Sequence, residues 1–181
     1  MDPVLGRAWL VGDNVDTDVI MPGKYLRLSV ADAVKHVMEG IDPHFLEKVR
    51  NGDIIVAGRN FGSGSSRELA VHGLKAAGVG AIVATSFARI FFRNSVNLGL
   101  PVIECAEAGQ IRNGDELEIL FQTGIIRDLT SGAEFGVVVY PEHILRLLSA
   151  GGLVPYLAEE IRRGRLRPAP PPGRSPHAAA K

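Results

Sequence analysis

The fold is decided by residues 53–78, whose sequence is DIIVAGRNFGSGSSRELAVHGLKAAG. The apolar run that begins at Ile54 predicts a buried strand over residues 53–57. Residues 68–77 have the composition of a helix, which is expected to close at Gly78. A glycine-rich segment connects the two, so this stretch predicts the strand–loop–helix unit of an α/β protein.

The pattern repeats on both sides of this unit. Residues 81–85 form a second apolar run, residues 87–98 have helical composition, and residues 100–105 form an extended segment that its proline places near a sheet edge. Upstream, residues 7–10 predict a short strand, and apolar spacing over residues 30–39 predicts a helix. The alternation of strands and helices predicts a mainly parallel core sheet with helices packed on it.

The pattern changes after Gly114. Three further apolar runs predict antiparallel strands added to the core, at residues 116–121, 125–129 and 135–140. Helical spacing returns after Pro141. Residues 1–165 are therefore predicted to form one domain, and the Pro- and Ala-rich residues 166–181 to form a disordered tail.

Composition argues against several classes of function. Lys plus Arg and Asp plus Glu both number 20, so no net charge would attract nucleic acid or an anionic membrane. The chain has neither an apolar run long enough to span a bilayer nor a signal-peptide pattern, so we expect no membrane association and a cytoplasmic location. The one cysteine, Cys105, leaves too few thiolates to hold an iron–sulfur cluster, and the histidines lack metal-ligand spacing. We therefore expect no metal or cofactor to bind to this chain itself.

The densest polar chemistry lies between the strand and the helix, in residues 58–67, which we call the Gly-Ser loop. Its glycines let backbone N–H groups approach an anion, the following helix N-terminus adds partial positive charge, and Arg67 can bind a carboxylate through two hydrogen bonds. A dinucleotide fingerprint would need glycine at position 67, and a phosphate loop would end in Gly-Lys-Ser/Thr, so neither nucleotide motif fits. The loop predicts an anionic ligand, with a tight structural turn and a serine helix cap as the alternative.

Two adjacent serines, Ser65 and Ser66, precede Arg67. A serine at a helix N-terminus beside a guanidinium has its alkoxide form stabilised, so it could act as a proton-abstracting base. No histidine neighbours these serines in the sequence, so an acyl-transfer triad is not supported. These residues favour proton transfer on an anionic substrate, and a non-catalytic module that binds carboxylate or phosphate stays open as the alternative of another class.

Four segments together resemble one protein family. They are Asp16-Thr17-Asp18, Gly23-Lys24-Tyr25-Leu26, Gly62–Glu68 and Thr85–Asn94. In this order and spacing they are similar to the small subunit of 3-isopropylmalate dehydratase and homoaconitase, which is equivalent to the swivelling C-terminal domain of aconitase. The resemblance covers roughly residues 5–160 and implies a swivelling β/β/α domain.

The resemblance also implies an activity: a hydro-lyase that works only with a separate large subunit, as a heterodimer or heterotetramer. In this family the large subunit carries a [4Fe-4S] cluster, whose open iron acts as a Lewis acid. Ser65 matches the serine that removes a proton from carbon as an alkoxide, and Ser66 and Arg67 match residues that hold the substrate carboxylate. Asp16 and Asp18 match an acidic turn that orders active-site groups or serves the structure. The isolated subunit could form homo-oligomers.

The resemblance implies a small di- or tricarboxylate substrate, and two candidates follow from it. The first interpretation is isomerisation of 2-isopropylmalate and 3-isopropylmalate by dehydration and rehydration, in leucine biosynthesis. The alternative is homoaconitase, in the 2-aminoadipate route to lysine, because Arg27 stands where isopropylmalate enzymes have an apolar residue. An arginine facing a distal carboxylate gains charge-assisted hydrogen bonds of about 1.5–3 kcal/mol, whereas one facing an isopropyl group loses hydration. Leu28 departs from the small hydroxyl residue expected next in the homoaconitate version.

Overall fold

The computed structural model describes residues 1–166. The tail predicted at residues 166–181 therefore lies outside the described residues, apart from Leu166.

One sheet of seven strands organises residues 1–166, in the order β4-β3-β2-β1-β5-β6-β7. The strands are β1 (Val4–Leu10), β2 (Ile54–Ala57), β3 (Ala81–Ala84), β4 (Val102–Glu104), β5 (Glu116–Leu120), β6 (Ile125–Asp128) and β7 (Glu134–Gly136). Strands β1 to β4 pair in parallel, and β5 continues the sheet antiparallel from β1. The predicted fold class, an α/β domain with a parallel core and added antiparallel strands, is confirmed.

Seven α-helices flank this sheet within the described part of the chain. They are α1 (Thr17–Ile20), α2 (Val30–Ala33), α3 (Phe45–Lys48), α4 (Glu68–Ala76), α5 (Arg89–Leu98), α6 (Glu142–Ser149) and α7 (Leu153–Arg162). Helices α4 and α5 follow β2 and β3, as the alternating pattern predicts. The buried side chains of α4 and α5 pack with alternate residues of β2 and β3 in one apolar cluster.

The helix predicted over residues 30–39 is shorter than expected. Helix α2 ends at Ala33, a 3₁₀ turn covers Val34–His36, and Met38 takes a left-handed backbone conformation with φ +61°. The N–H of Met38 donates to the carbonyl of Ile20 at 2.7 Å, and the Met38 side chain is 1% exposed. The chain leaves the helical path because burying Met38 outweighs the local helix preference.

The third added strand is also shorter than the predicted run over residues 135–140. Beyond Gly136 the chain leaves β6, and the hydroxyl of Tyr140 accepts a hydrogen bond from the N–H of Val102 in β4 at 3.2 Å. Since β4 and β7 are the two edges of the sheet, this contact shows that the sheet curls. A second apolar cluster fills the curl, and it contains Cys105, which is 1% exposed and whose thiol pKa is raised by burial.

Candidate active site

The Gly-Ser loop begins where β2 ends, at the carboxyl edge of the parallel strands. Phe61 is fully buried and packs edge-to-face against Phe91 of α5, with ring centroids 5.3 Å apart. Gly62 has φ +76°, and a Cβ there would lie 2.1 Å from Cγ of Phe91. Only glycine fits this turn, because a side chain would meet both an unfavourable backbone angle and a buried ring.

Two neighbouring strand ends bring other segments to the same edge. The residues after β1 pair with the loop through a parallel bridge between Asp16 and Ser63, and those after β3 pair through one between Phe61 and Phe87. The acidic turn and the Gly-Ser loop, about 50 residues apart in sequence, therefore lie side by side. Ligands of parallel sheets typically bind outside this edge.

Ser65 and Ser66 are both exposed at the start of α4. The N-cap residue of this helix is Arg67, which makes no side-chain cap hydrogen bond, and neither serine caps the helix within residues 1–166. The loop therefore does not provide the predicted serine cap. The first N–H groups of an uncapped helix have no acceptor within the helix, and they carry partial positive charge. The serine hydroxyls thus stand at an electropositive and open helix end.

The acidic turn contacts the Gly-Ser loop through Thr17. The N–H of Thr17 donates to the carbonyl of Ser63 at 2.8 Å. Its hydroxyl donates to the carbonyl of Ser65 at 3.1 Å and lies 3.5 Å from the Ser65 hydroxyl oxygen. Thr17 is 1% exposed, so it forms the buried floor beneath an exposed serine.

The two aspartates of the turn have different contacts. Asp16 caps α1, accepting a hydrogen bond from the N–H of Val19 at 2.8 Å. Asp18 instead forms an ion pair with the guanidinium of Arg67, whose Nη1 also donates to the carbonyl of Met21 at 3.4 Å. The Arg67 side chain is 18% exposed and Asp18 is 57% exposed, so the pair borders the open face of the site.

Residues 21–28, which we call the Tyr25 loop, adjoin this pair. A Cβ at Gly23 would lie 3.3 Å from Oδ1 of Asp18 and 3.7 Å from Nη2 of Arg67. The loop is tied back by Glu39, which accepts hydrogen bonds from the Tyr25 hydroxyl at 2.8 Å and from Lys24 Nζ at 3.2 Å.

His36 completes the Glu39 anchor. Its Nδ1 lies 2.8 Å from Oε2 of Glu39, and its ring stacks on Tyr25 at 3.7 Å between centroids. The hydrogen bond from Tyr25, then those from His36 and Lys24, lower the pKa of Glu39 to about 2. The anchor is therefore a carboxylate that stays ionised, and it was not among the site residues predicted from the sequence.

Arg27 lies in the turn that follows the 3₁₀ segment Gly23–Tyr25, and it is exposed. Within residues 1–166 it forms neither a hydrogen bond nor an ion pair. The structure thus brings Ser65, Ser66, Arg67, Asp16 and Asp18 together at one edge, and leaves Arg27 on the adjoining loop without a direct link to them.

Two further properties of the described residues bear on function. No group of three or more His, Cys, Asp or Glu side chains within residues 1–166 is placed to hold a metal ion. None of the helices in this range is long and apolar enough to cross a membrane.

A mostly apolar groove lies elsewhere in the described structure. Its volume is about 530 Å³, and its walls come from α5, β4, α6 and the segment around Tyr140. No residue of the Gly-Ser loop lines it. The exposed serines consequently sit on an open edge of the domain and outside this groove.

Comparison with known proteins gives a consistent result. The model of the aconitase C-terminal domain matches residues 14–108, which include the acidic turn, the Gly-Ser loop and α5. The chain is 49% identical to the 3-isopropylmalate dehydratase small subunit of Nautilia profundicola, over 91% of this chain and 100% of that protein. It is 52% identical to the methanogen homoaconitase small subunit of Methanothermobacter thermautotrophicus, over 89% and 94%.

A solved structure agrees with these relatives. The crystal structure of a 3-isopropylmalate dehydratase from Methanocaldococcus jannaschii superposes with a TM-score of 0.84 and 42% identity, covering 91% of this chain and all of that one. The resemblance drawn from four short motifs is confirmed, because the match extends through the added strands and the terminal helices. The chain belongs to the aconitase C-terminal domain family.

Proposed function

We propose that this chain is the small subunit of 3-isopropylmalate dehydratase, a hydro-lyase that interconverts 2-isopropylmalate and 3-isopropylmalate in leucine biosynthesis. The observation that carries the proposal is the exposed Ser65 at an uncapped helix N-terminus, beside Arg67 and open to solvent. Relatives of nearly the full length of this chain carry that name. The expected site residues and their geometry are consistent with it.

Ser65 is proposed as the base. Its alkoxide takes the proton from one substrate carbon and becomes a neutral hydroxyl, and the electron pair of the C–H bond becomes the double bond. The hydroxyl on the neighbouring carbon leaves as hydroxide with the electron pair of its C–O bond. Rehydration reverses these steps with the hydroxyl on the other carbon. The partial positive charge of the α4 N-terminus and the guanidinium of Arg67 both stabilise the alkoxide.

Ser66 and Arg67 are proposed to hold a substrate carboxylate. The bonds from Arg67 to Asp18 and to Met21 both use Nη1. Within residues 1–166, Nη2 and Nε have no protein acceptor, so the guanidinium keeps two donor groups for a bidentate carboxylate contact. In this proposal Asp18 orients Arg67 and Asp16 serves the structure as the cap of α1.

The iron–sulfur cluster is proposed to lie on a separate large subunit. Cys105 is the one cysteine of the chain and is buried in the sheet core, so this chain does not supply the thiolates that such a cluster needs. When bound, the cluster would supply Lewis-acid chemistry to the leaving hydroxyl. The open edge around Ser65 is then the surface that the large subunit would cover, in keeping with the exposure of both serines in the isolated chain.

A second candidate within the same chemistry is the homoaconitase small subunit. Arg27 is exposed and unpaired within residues 1–166, so its guanidinium has donors left for a distal carboxylate on a longer substrate. The relative named homoaconitase is 52% identical to this chain, similar to the dehydratase relatives. Assays on both substrates therefore decide between the two candidates.

The test is reconstitution with the large subunit encoded by the same genome, followed by assays on 2-isopropylmalate and homoaconitate. We expect turnover of 2-isopropylmalate, and Ser65→Ala should lower kcat about 10³-fold, since a general base typically contributes 10²–10⁴-fold. Ser149→Ala, which changes an exposed serine of α6, is the matched control and should retain full activity. Turnover of homoaconitate alone would select the second candidate.

Failure of the chain to associate with any iron–sulfur protein, together with retained anion binding, would favour the non-catalytic module. A fully active Ser65→Ala complex would remove the proposed base.

A further inference from the structure

The side chain of Thr17 has little freedom beneath the Gly-Ser loop. Its main chain is fixed on both sides, because its N–H donates to Ser63 at 2.8 Å and its carbonyl accepts from the N–H of Met21 at 2.9 Å. The side chain is 1% exposed, and a Cβ at Gly64 would lie 3.2 Å from its hydroxyl oxygen. The hydroxyl is thus held against the loop by main-chain contacts with two segments, the Gly-Ser loop and the end of α1.

This hydroxyl faces two oxygens of the same serine. It lies 3.1 Å from the Ser65 carbonyl oxygen and 3.5 Å from the Ser65 hydroxyl oxygen. A hydroxyl has one proton to donate and two lone pairs to accept with. While Ser65 is protonated, Thr17 can donate to the carbonyl; once Ser65 is an alkoxide, the strongest acceptor within reach is its side-chain oxygen.

We propose that Thr17 is a positioning residue for the base, whose hydroxyl turns from the Ser65 carbonyl to the Ser65 alkoxide and stabilises it. This inference rests on the proposed role of Ser65 as the base. The change requires rotation of one O–H bond and a shortening of the 3.5 Å separation by about 0.8–1 Å, to the length typical of a hydroxyl that donates to an anionic oxygen. Thr17 therefore contributes a buried donor whose oxygen is held beside the base before the reaction and whose O–H rotates toward the alkoxide when it forms.

The charged groups around Ser65 are unchanged by substitutions at Thr17. Arg67 and Glu68 lie on the same segment as the serine, and Asp16 and Asp18 lie on the segment packed against it. A change in the pH dependence of turnover in a Thr17 variant is therefore attributable to the hydroxyl.

The experiment uses the reconstituted two-subunit enzyme with the Thr17→Val, Thr17→Ser and Thr17→Ala variants. Valine keeps the shape of threonine and removes the hydroxyl, whereas serine keeps the hydroxyl and removes the methyl group. We expect Thr17→Val to lower kcat about 10- to 100-fold with little change in KM, and to move the acidic limb of the pH–kcat profile to higher pH by about one unit. Thr17→Ser should stay within about threefold of the parent in kcat and keep its pH profile.

A double variant separates this role from packing. If Thr17 acts through Ser65, adding Thr17→Val to Ser65→Ala should cost no further activity. Thermal unfolding and binding to the large subunit are measured for every variant, and Thr17→Ala replaces the valine variant if valine prevents folding.

The outcomes distinguish this inference from the function on which it rests. The role of Thr17 alone is overturned if the parent enzyme isomerises 2-isopropylmalate and Ser65→Ala is inactive, while Thr17→Val keeps the parental kcat and pH profile. Equal losses in Thr17→Ser and Thr17→Val with a parental pH profile also overturn it, because they point to packing. A parent complex that turns over neither substrate overturns the proposed function and this inference together.

Discussion

The Gly-Ser loop and the Tyr25 loop meet at the pair of Asp18 and Arg67, yet they are held in different ways. The Gly-Ser loop is fixed mainly by its main chain around the serines: the N–H of Gly62 donates to Val15 at 2.8 Å, and the carbonyl of Ser63 accepts from Thr17 at 2.8 Å. The buried ring of Phe61 anchors it further. These contacts depend little on side-chain identity, apart from the glycines and the phenylalanine.

The Tyr25 loop is held mainly by side chains. Its anchor is Glu39, whose side chain is 31% exposed and which is reached by Tyr25, His36 and Lys24. A single substitution at Glu39 weakens or removes all of these contacts together. The Gly-Ser loop, which is proposed to carry the reaction, is therefore held mainly by backbone hydrogen bonds. The position of the Tyr25 loop, which carries Arg27, can change through side-chain substitutions without disturbing Ser65.

The largest effect is expected from a methyl group at Gly62. In Gly62→Ala the new Cβ would lie 2.1 Å from Cγ of the buried Phe91, at a φ of +76°. Left-handed strain and overpacking each cost about 1–3 kcal/mol, so we expect about 3 kcal/mol or more of destabilisation and loss of activity. Chemical denaturation and turnover of the reconstituted enzyme measure both.

Gly23→Ala in the Tyr25 loop is the matched control. A Cβ there would be 3.3 Å from the exposed Asp18 carboxylate, which can move, and the backbone angle is ordinary. Stability should change by less than about 1 kcal/mol. Equal destabilisation by the two alanines would contradict the difference in rigidity between the loops.

Much of the Gly-Ser loop was predictable because its neighbours in sequence define it. The apolar run of β2, the helical composition after Arg67 and the intervening glycines are local signals, and the structure has β2 and α4 where they place them. The helix cap was not predictable, since any of several polar residues could begin α4. Arg67 occupies that position without a capping side chain.

Contacts between segments that are distant in the chain could not be predicted from the sequence. Asp18 and Arg67 are 49 residues apart, and Thr17 and Ser65 are 48 residues apart. No periodicity relates them; they meet because β1 and β2 are parallel neighbours whose carboxyl ends share an edge. Glu39 was missed for a related reason, since residues 30–39 were expected to continue as one helix instead of turning back toward Tyr25.

A smaller effect is expected where the two loops touch. Asp18→Asn keeps the size of the side chain but removes the charge that pairs with Arg67. Arg67 should then be held less firmly in its orientation, because the pair loses one of its two charges and with it the ion-pair attraction. We expect kcat/KM to fall about tenfold, mostly through KM, with thermal stability nearly unchanged.

Asp13→Asn is the control for Asp18→Asn, since Asp13 is also an exposed aspartate paired with an arginine, Arg59. It should leave kcat/KM within about twofold of the parent, as exposed ion pairs contribute little. A comparable loss in both variants would mean that general charge, and not the Asp18–Arg67 contact, governs substrate binding.

The smallest effect, and the most selective, is expected from Glu39→Gln. Hydrogen bonds from Tyr25, His36 and Lys24 hold the pKa of Glu39 at about 2, below its ordinary 4.5. The anchor therefore contributes fully above pH 4.5 and is lost only as pH falls toward 2, so it is ionised throughout the neutral range. Glutamine should raise KM about two- to fivefold and leave kcat unchanged, because the base lies on the other loop.

The ratio of activities on 2-isopropylmalate and homoaconitate sharpens this test. If the Tyr25 loop positions Arg27 for substrate choice, Glu39→Gln should change that ratio, whereas Glu47→Gln, which removes an exposed carboxylate paired with His44, should not. A fall in kcat with an unchanged ratio would show that the two loops move as one unit. The Glu39 anchor would then affect the reaction itself. The assignment of catalysis to the Gly-Ser loop and of substrate choice to the Tyr25 loop would be wrong.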